Sequence, residues 1–170
     1  MKVMRPNTLR RSLLRLAPVA LAIAAPPLYG QPATTTIAVS ATVLKVCVVS
    51  VGSLAFGNYL ANSGSPTDSS ANITVTCTTG TTYTVALDAG LGSGATTSSR
   101  KMTFSSHTID YGLYQDSSRS TNWGNNVGTD TEAGTGSGSA QTLTVYGRIP
   151  IAQYLNPGAY TDTVTVTVNY

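Results

Sequence analysis

Few residues in this chain of 170 amino acids have side chains suited to catalysis or metal binding. The single histidine, His107, lies in the segment SSHTID, and no nucleophile–base–acid set can be assembled around it. Asp130 and Glu132 lie in a glycine-rich segment and could offer oxygen ligands to Ca²⁺, but their spacing does not fit an EF-hand loop. A loop or edge histidine and a solvated acidic loop are the favoured interpretations. The sequence therefore predicts no enzyme, no bound metal and no cofactor.

The two cysteines, Cys47 and Cys77, offer a different chemistry. Their spacing does not fit a CxxC redox or metal motif, and one histidine cannot complete a zinc site. In an exported chain an isolated pair of cysteines is most simply a disulfide, here closing a loop of about 30 residues. We therefore predict a Cys47–Cys77 disulfide, and a metal or redox pair is the less favoured alternative.

Nine tyrosines and one tryptophan could form a platform for carbohydrate binding. Most of the tyrosines lie in strand-like segments, where packing against neighbouring side chains is the usual role. Trp123, in the segment STNWGNN, is the best candidate for an exposed aromatic, although a packing role is favoured for it as well. A carbohydrate-binding module is kept as an alternative function.

The first 30 residues have the composition of an export signal. They hold five of the ten basic residues and no acidic residue, and the basic region precedes the apolar stretch LAPVALAIAAPPLYG. This stretch is too short and too interrupted by proline for a membrane span. Cleavage is expected near Ala24 or Gly30, with Gly30 favoured, and LRRSLLR loosely resembles a twin-arginine signal. The remainder has five basic and seven acidic residues, so the basic pI does not indicate a nucleic-acid partner.

The rest of the chain alternates between strand-like segments and breaks rich in Gly, Ser and Thr. Each segment repeats apolar residues at every second position or is continuously apolar, as strands do. The segments span residues 34–43, 44–51, 53–59, 72–78, 82–90, 109–116, 141–150 and 159–170. Seven or eight short strands in about 140 residues predict an all-β sandwich with Greek-key connections.

The two terminal strands stand apart from the others. The last one, in PGAYTDTVTVTVNY, alternates valine with threonine up to the end of the sequence given and has no obvious neighbour on its far side. The first one, TTTIAVSATV, places Ile37, Val39, Ala41 and Val43 on one face. The apolar positions change parity after Val43, which suggests that the first strand is a separable unit.

Four segments in order, LAFGNY, YGLYQDSSRSTNWG, LTVYGRIP and PGAYTDTVTVTVNY, resemble the spore coat protein U domain. The similarity runs from about Thr34 to Tyr170, and the same family includes subunits of archaic chaperone–usher pili. It implies an incomplete immunoglobulin-like β-sandwich that lacks its last strand. In such subunits a periplasmic chaperone fills the gap, and at the outer-membrane usher the N-terminal strand of the next subunit replaces it.

The resemblance gives each part of the chain a role. Residues 1–30 would be a cleaved signal, 31–43 a donor strand and 44–170 the pilin domain. The donor strand would use Ile37, Val39, Ala41 and Val43, and the small Ala41 implies one shallow pocket. The acceptor groove would be lined or bordered by Phe56, Val164, Val166, Val168 and Tyr170.

The function implied is that of a secreted pilus subunit, which passes through the periplasm to the cell surface and supports adhesion and biofilm formation. Its partners would be a chaperone, an usher and neighbouring subunits, with no small-molecule substrate. A spore-coat or surface-layer protein and a carbohydrate-binding adhesin are the alternatives.

Overall fold

The computed structural model of the chain describes residues 29–170. All but the last two residues of the predicted export signal lie outside this range. The described residues belong to two units, of which the second, Ala41–Tyr170, is the folded domain. In the first unit, residues 29–40 form no helix or strand, and all of them are exposed.

Eight strands and no helix make up the described part of the chain. They are β1 (Cys47–Val51), β2 (Thr67–Cys77), β3 (Thr82–Leu87), β4 (Arg100–Phe104), β5 (His107–Tyr114), β6 (Glu132–Thr135), β7 (Gln141–Ile149) and β8 (Val166–Asn169). Accordingly, nothing in residues 29–170 is a helix that could cross a membrane.

The strands form two antiparallel sheets. One sheet has five strands in the order β1-β2-β7-β5-β4, and the other has three in the order β6-β3-β8. All strand pairs are antiparallel. Because β2 pairs with β7 and β3 with β8, strands distant in the sequence lie side by side. The prediction of an all-β sandwich is confirmed.

The core lies between the inner faces of the two sheets. The period-two pattern puts Ile73, Val75 and Cys77 of β2 inside, and residues from β3, β5 and β7 meet them. The buried apolar set is Ile73, Val75, Cys77, Tyr83, Val85, Ala86, Leu87, Ile109, Tyr111, Leu113, Trp123, Val145 and Ile149. Trp123 is buried and donates its indole N–H to the Val85 carbonyl at 2.9 Å, so its predicted packing role is confirmed.

Two further contacts fix the domain. The predicted disulfide is formed, and it joins Cys47 in β1 to Cys77, its partner across the ladder in β2. Arg100 is fully buried, and its guanidinium donates to main-chain carbonyls of Leu87, Asp88, Thr97 and Trp123. Burial lowers the pKa of Arg100, but arginine stays protonated. One buried cation therefore joins three segments of the chain, at residues 87–88, 97 and 123, through the dipoles of four carbonyls.

Some predicted strand bounds are wrong. Residues 53–59 form no strand within the described chain, and the last strand covers only Val166–Asn169 of the predicted 159–170. Residues 34–43 form no strand within this chain, and their pairing with another chain stays a prediction. Two strands, β4 and β6, were not predicted, because RKMTF and EAGT lack clear alternation. Glu132, placed in a loop from the sequence, begins β6.

Candidate functional site

Two strand edges are left open next to each other. Strand β1 has one neighbour, β2, and β8 has one neighbour, β3, among the described residues. The two strands belong to different sheets but approach each other at this side of the sandwich. Unpaired strand edges are usually covered in a soluble protein, so an open pair of them needs an explanation.

The inward side chains of β1 are not covered by a neighbouring strand. Val49 pairs with Val75 and Val51 with Ile73, so these valines point to the same face as two fully buried residues. Nevertheless, Val49 is 36% and Val51 49% exposed. Side chains that face the interior but remain accessible to solvent indicate that the core is incomplete beside β1.

The open edge of β8 presents backbone groups together with apolar side chains. The N–H of Asp88 donates to the Thr165 carbonyl at 3.1 Å, and the next pairs are Leu87–Val166 and Ala86–Thr167. In an antiparallel ladder, every second residue directs its N–H and C=O away from the partner strand. The backbone groups of Val166 and Val168 therefore point to the open edge, while their side chains pack on the core.

An apolar groove of about 1510 Å³ runs along this side of the domain. One wall is the segment from Val51 to Ala61, and the other is residues 153–164 with Val166. Its floor consists of core side chains of both sheets, among them Ile73, Leu87, Ile109, Tyr111, Leu113, Val145 and Ile149. The groove begins at Val51 of β1 and Val166 of β8 and reaches the core, so an added strand is an occupant that its position can accept.

The structure brings three of the five predicted acceptor residues into the groove. Phe56, Val164 and Val166 line it, and Phe56 meets Tyr111 edge to face with ring centroids 6.0 Å apart. Val168 lies beyond the groove end and packs against the core. Tyr170 also lies beyond it and is exposed. Their role in binding a strand stays a prediction.

Phe56 needs its glycine neighbour in β7. A β-carbon on Gly147 would lie 2.7 Å from the Phe56 ring and 3.0 Å from Leu54 Cδ2. Such contacts are too close for any residue with a side chain, so Gly147 lets the Val51–Ala61 segment lie directly on β7.

The predicted donor residues are exposed. Ile37, Val39 and Val43 are large apolar side chains almost fully accessible to solvent, and Ala41 is exposed as well. No pairing of residues 34–43 with another strand occurs within the described chain. The assignment of this segment as a donor strand stays a prediction.

Polar contacts anchor the strand side of the groove. Tyr111 donates its hydroxyl to Asp162 at 2.7 Å, and Asp162 also accepts the Leu91 N–H at 2.8 Å. Burial, followed by the hydrogen bond to Asp162, raises the pKa of Tyr111 far above its ordinary value. The phenol is therefore a neutral donor that holds the chain entering β8.

Asp88 anchors the same segment three residues further along the chain, at Thr165. It accepts the N–H groups of Thr165 and Gly90, each at 2.9 Å. Burial pushes the pKa of Asp88 upward, but these hydrogen bonds outweigh burial, so its pKa lies below its ordinary value. The carboxylate form thus fixes where β8 begins.

The residues considered for chemistry have structural contacts. His107 begins β5, and its Nε2 lies 2.8 Å from the Asn156 amide nitrogen. Asp130 accepts the Asn126 N–H at 2.7 Å, which caps a turn. Within residues 29–170, no three His, Cys, Asp or Glu side chains form a group that could hold a metal ion.

Asp68 pairs with two arginines. Arg119 Nη1 lies 3.3 Å from its carboxylate, and Arg148 donates to it through two hydrogen bonds of 2.8 Å.

Leu54 and Tyr59 also line the groove, and sequence analysis missed them. The signal was present in LAFGNY, whose apolar residues belong to a wall rather than a strand.

An all-β sandwich with an open apolar groove along one edge is thus the class that the fold and site define. A family profile described as Spore Coat Protein U domain matches residues 33–167. The chain belongs to this family, and the resemblance seen in the sequence is confirmed.

Two similar proteins agree with this assignment. Protein U of Myxococcus xanthus is 30% identical in an alignment of 179 positions, gaps included. The alignment covers 96% of this chain and 99% of that protein. A chain in the crystal structure of the CsuC-CsuE chaperone-tip adhesion subunit pre-assembly complex, from archaic chaperone-usher Csu pili of Acinetobacter baumannii, is similar in fold. Its TM-score is 0.56 and its identity 25%, and the match covers 76% of this chain but only 41% of that chain.

Proposed function

We propose that this chain is a structural subunit of a surface pilus, assembled by the chaperone–usher pathway through donor-strand exchange. The observation that carries the proposal is the apolar groove that begins at Val51 and Val166, where the open edges of β1 and β8 end. In this proposal residues 31–43 are the donor segment of one subunit, and they fill the groove of another.

The groove and the donor segment match in chemistry. A strand that extends from the groove along the open edge of β8 finds the backbone groups of Val166 and Val168 directed toward it, and it covers Val49 and Val51. Ile37, Val39, Ala41 and Val43 share one face of such a strand, and small or polar residues occupy the other. Ten strand residues span about 33 Å. At about 25 cal/mol per Å², burial of the apolar face contributes several kcal/mol.

The partners follow from the same geometry. An exported chain with an exposed groove needs a periplasmic chaperone to cover it before assembly and an outer-membrane usher where the subunits join. The similarity to a chain of a chaperone–subunit complex supports the chaperone. A head-to-tail joint that does not close gives a filament, so we propose a homopolymer at the cell surface.

We propose adhesion and biofilm formation as the roles of this filament, and no enzymatic activity. The buried position of Trp123 argues against a sugar platform at the STNWGNN segment. The similarity to Protein U over nearly the full length favours one alternative, a coat protein built with the same joint. Immunogold electron microscopy of intact cells distinguishes filaments that leave the surface from a deposited layer.

Two variants of residues 31–170 test the joint itself. One lacks residues 34–43, and the other carries this segment behind Tyr170 on a short flexible linker. We expect the second to be a stable monomer and the first to aggregate or to unfold at lower temperature. Thermal unfolding and light scattering measure both properties. Equal stability and a monomeric state of the deletion variant would contradict the proposal.

A matched pair of substitutions in the moved segment separates strand insertion from simple tethering. Val39→Asp places a charge on the face that enters the groove, whereas Ser40→Asp places it on the opposite face. We expect Val39→Asp to lower the melting temperature to that of the deletion variant, and Ser40→Asp to leave it nearly unchanged. Equal effects of the two aspartates would indicate that the segment does not insert as a strand.

A further inference from the structure

We propose that successive subunits make a second, apolar contact next to the donor strand. In this contact, Leu44 and Val46 of the donating subunit pack on two loops of the receiving copy, which carry Leu60 and Tyr154. The inference rests on the proposed donor-strand joint and adds an interaction surface to it. The occupant of the loop surface is thus a second copy of this chain.

The segment that joins the donor strand to the sandwich is short and fixed. Only residues 44–46 lie between Val43 and Cys47, so Val43 lies at most about 14 Å from Cys47. Thr78 holds the segment: its N–H donates to the Val46 carbonyl at 2.9 Å, and its hydroxyl accepts the Val46 N–H at 3.2 Å. The disulfide at Cys47 fixes the next residue.

The same segment exposes apolar side chains that its own domain does not use. Leu44 is 72% exposed, and Val46 and Val48 are also large exposed apolar residues. Val46 and Val48 lie on the outer face of the sheet, opposite Thr78 and Thr76. Since Val43 would be inside the receiving subunit, Leu44 and Val46 must lie at the surface of that subunit.

The direction of the donor strand selects the part of the receiving surface that they meet. Every pair in both sheets is antiparallel, and a donor that continues this arrangement runs antiparallel to β8. Its C-terminal end then leaves the groove near the start of the last segment. That end of the groove is lined by Leu60, Tyr154, Leu155 and Tyr160.

The two loops at this exit present apolar side chains on a rigid frame. Tyr154 is 76% exposed, and Leu60 and Ile151 are exposed as well. Tyr59 links the loops, since its hydroxyl donates to the Pro150 carbonyl and accepts the Gln153 N–H, both at 2.9 Å. Exposed apolar side chains on loops fixed by hydrogen bonds are typical of a contact surface.

Photo-crosslinking of assembled polymers tests the contact. Tyr154 is replaced by the photoreactive p-benzoyl-phenylalanine, and irradiated polymers are digested and analysed by mass spectrometry. We expect crosslinks from position 154 to a peptide of another copy that contains residues 44–48. The control places the same group at Val127, which is exposed but lies outside the groove, and no crosslink to that peptide is expected there.

The outcomes separate this inference from the proposed function. Polymers that form without a crosslink between position 154 and residues 44–48 overturn the second contact and leave the donor-strand joint intact. Crosslinks from position 154 to a chaperone alone overturn it as well. A mature chain that never polymerises, with a deletion variant as stable as the parent, overturns both.

A double substitution provides a second measurement. Leu44→Ser with Val46→Ser leaves the donor residues and the backbone bonds to Thr78 in place. We expect polymers of this variant to form with a wider distribution of angles between successive subunits in electron micrographs, whereas Val127→Ser leaves the distribution unchanged. Equal distributions for the two variants would contradict a supporting contact.

Discussion

Val85 and Val51 both point between the two sheets, but one is fully buried and the other about half exposed. Val85 lies in β3, which has a neighbour on each side, and Trp123 closes the layer above it. Val51 lies in β1, which has one neighbour. The comparison shows that alternation decides which face a residue occupies, whereas burial depends on the strands beside it.

Trp123→Ala is expected to cause the largest loss of stability. It disrupts the closed side of the sandwich, which is the part around Val85 where β3 has a neighbour on each side. The substitution removes a buried indole and its N–H donor to the Val85 carbonyl, while the main-chain carbonyl that accepts from Arg100 stays in place. We expect the free energy of unfolding to fall by about 3–5 kcal/mol, measured by urea denaturation. Trp123→Phe keeps a ring and should cost less; a loss below about 1 kcal/mol for alanine would mean that the closed side is not the main source of stability.

Removal of the disulfide should lower stability by a somewhat smaller amount. The bond joins the edge strand β1 to its neighbour β2. Cys47→Ser with Cys77→Ser removes a crosslink over 30 residues of sequence. The chain-entropy treatment gives a loss of about 3–4 kcal/mol in unfolding free energy. Reduction of the parent chain should give the same change in a denaturant titration, and a clear difference between the two would point to an effect of the serines themselves.

A substitution at the open side sharpens the comparison most directly. Val166→Ala removes two methyl groups from a half-buried side chain, so we expect a loss of about 0.5–1 kcal/mol in the parent chain. In the variant with residues 34–43 behind Tyr170, the site is covered and the loss should rise to about 1.5–2.5 kcal/mol. Val85→Ala is the control, with the same cost in both backgrounds. A Val166→Ala cost that does not depend on the moved segment would mean that it does not cover β8.

The smallest expected effect is a loss of stability at low pH, caused by protonation of Asp88 at the start of β8. The pKa of Asp88 is lowered in the folded state, so its stabilising contribution is complete above the ordinary value of 3.8 and is lost as the pH falls below it. We expect unfolding free energy to decrease from about pH 4 downward, and less steeply in Asp88→Asn. Parallel pH profiles for the two chains would show that Asp88 does not contribute to this decrease.

The sequence was sufficient for the sheet class, the disulfide and the inward faces of β2, β3 and β7. In these strands, buried apolar residues alternate with polar ones, and the pattern alone determines orientation. It was not sufficient for β4 and β6, which are short and bear charged or small residues. β6 depends on pairing with the distant β3, whereas β4 pairs with β5 across a two-residue turn but shows no clear alternation of its own.

The open site could be predicted in outline but not in detail. Phe56, Val164 and Val166 lie in the groove, while the pattern could not show that Val168 and Tyr170 lie beyond its end. The reason is that VTVTV has no internal mark for where a groove stops.

The two hydrogen bonds between Thr78 and Val46 affect the concentration at which the proposed joint can form. They hold residues 44–46 in line with β1, so that these residues extend beyond Cys47 and away from Val51, where the groove begins. To reach the groove exit at Leu60, the connection of about 14 Å would have to reverse direction and run back along β1, which itself covers about 13 Å. We therefore expect the effective concentration of a donor segment at its own groove to be low. Growth therefore depends on the supply of other subunits, and each added subunit brings a new donor segment.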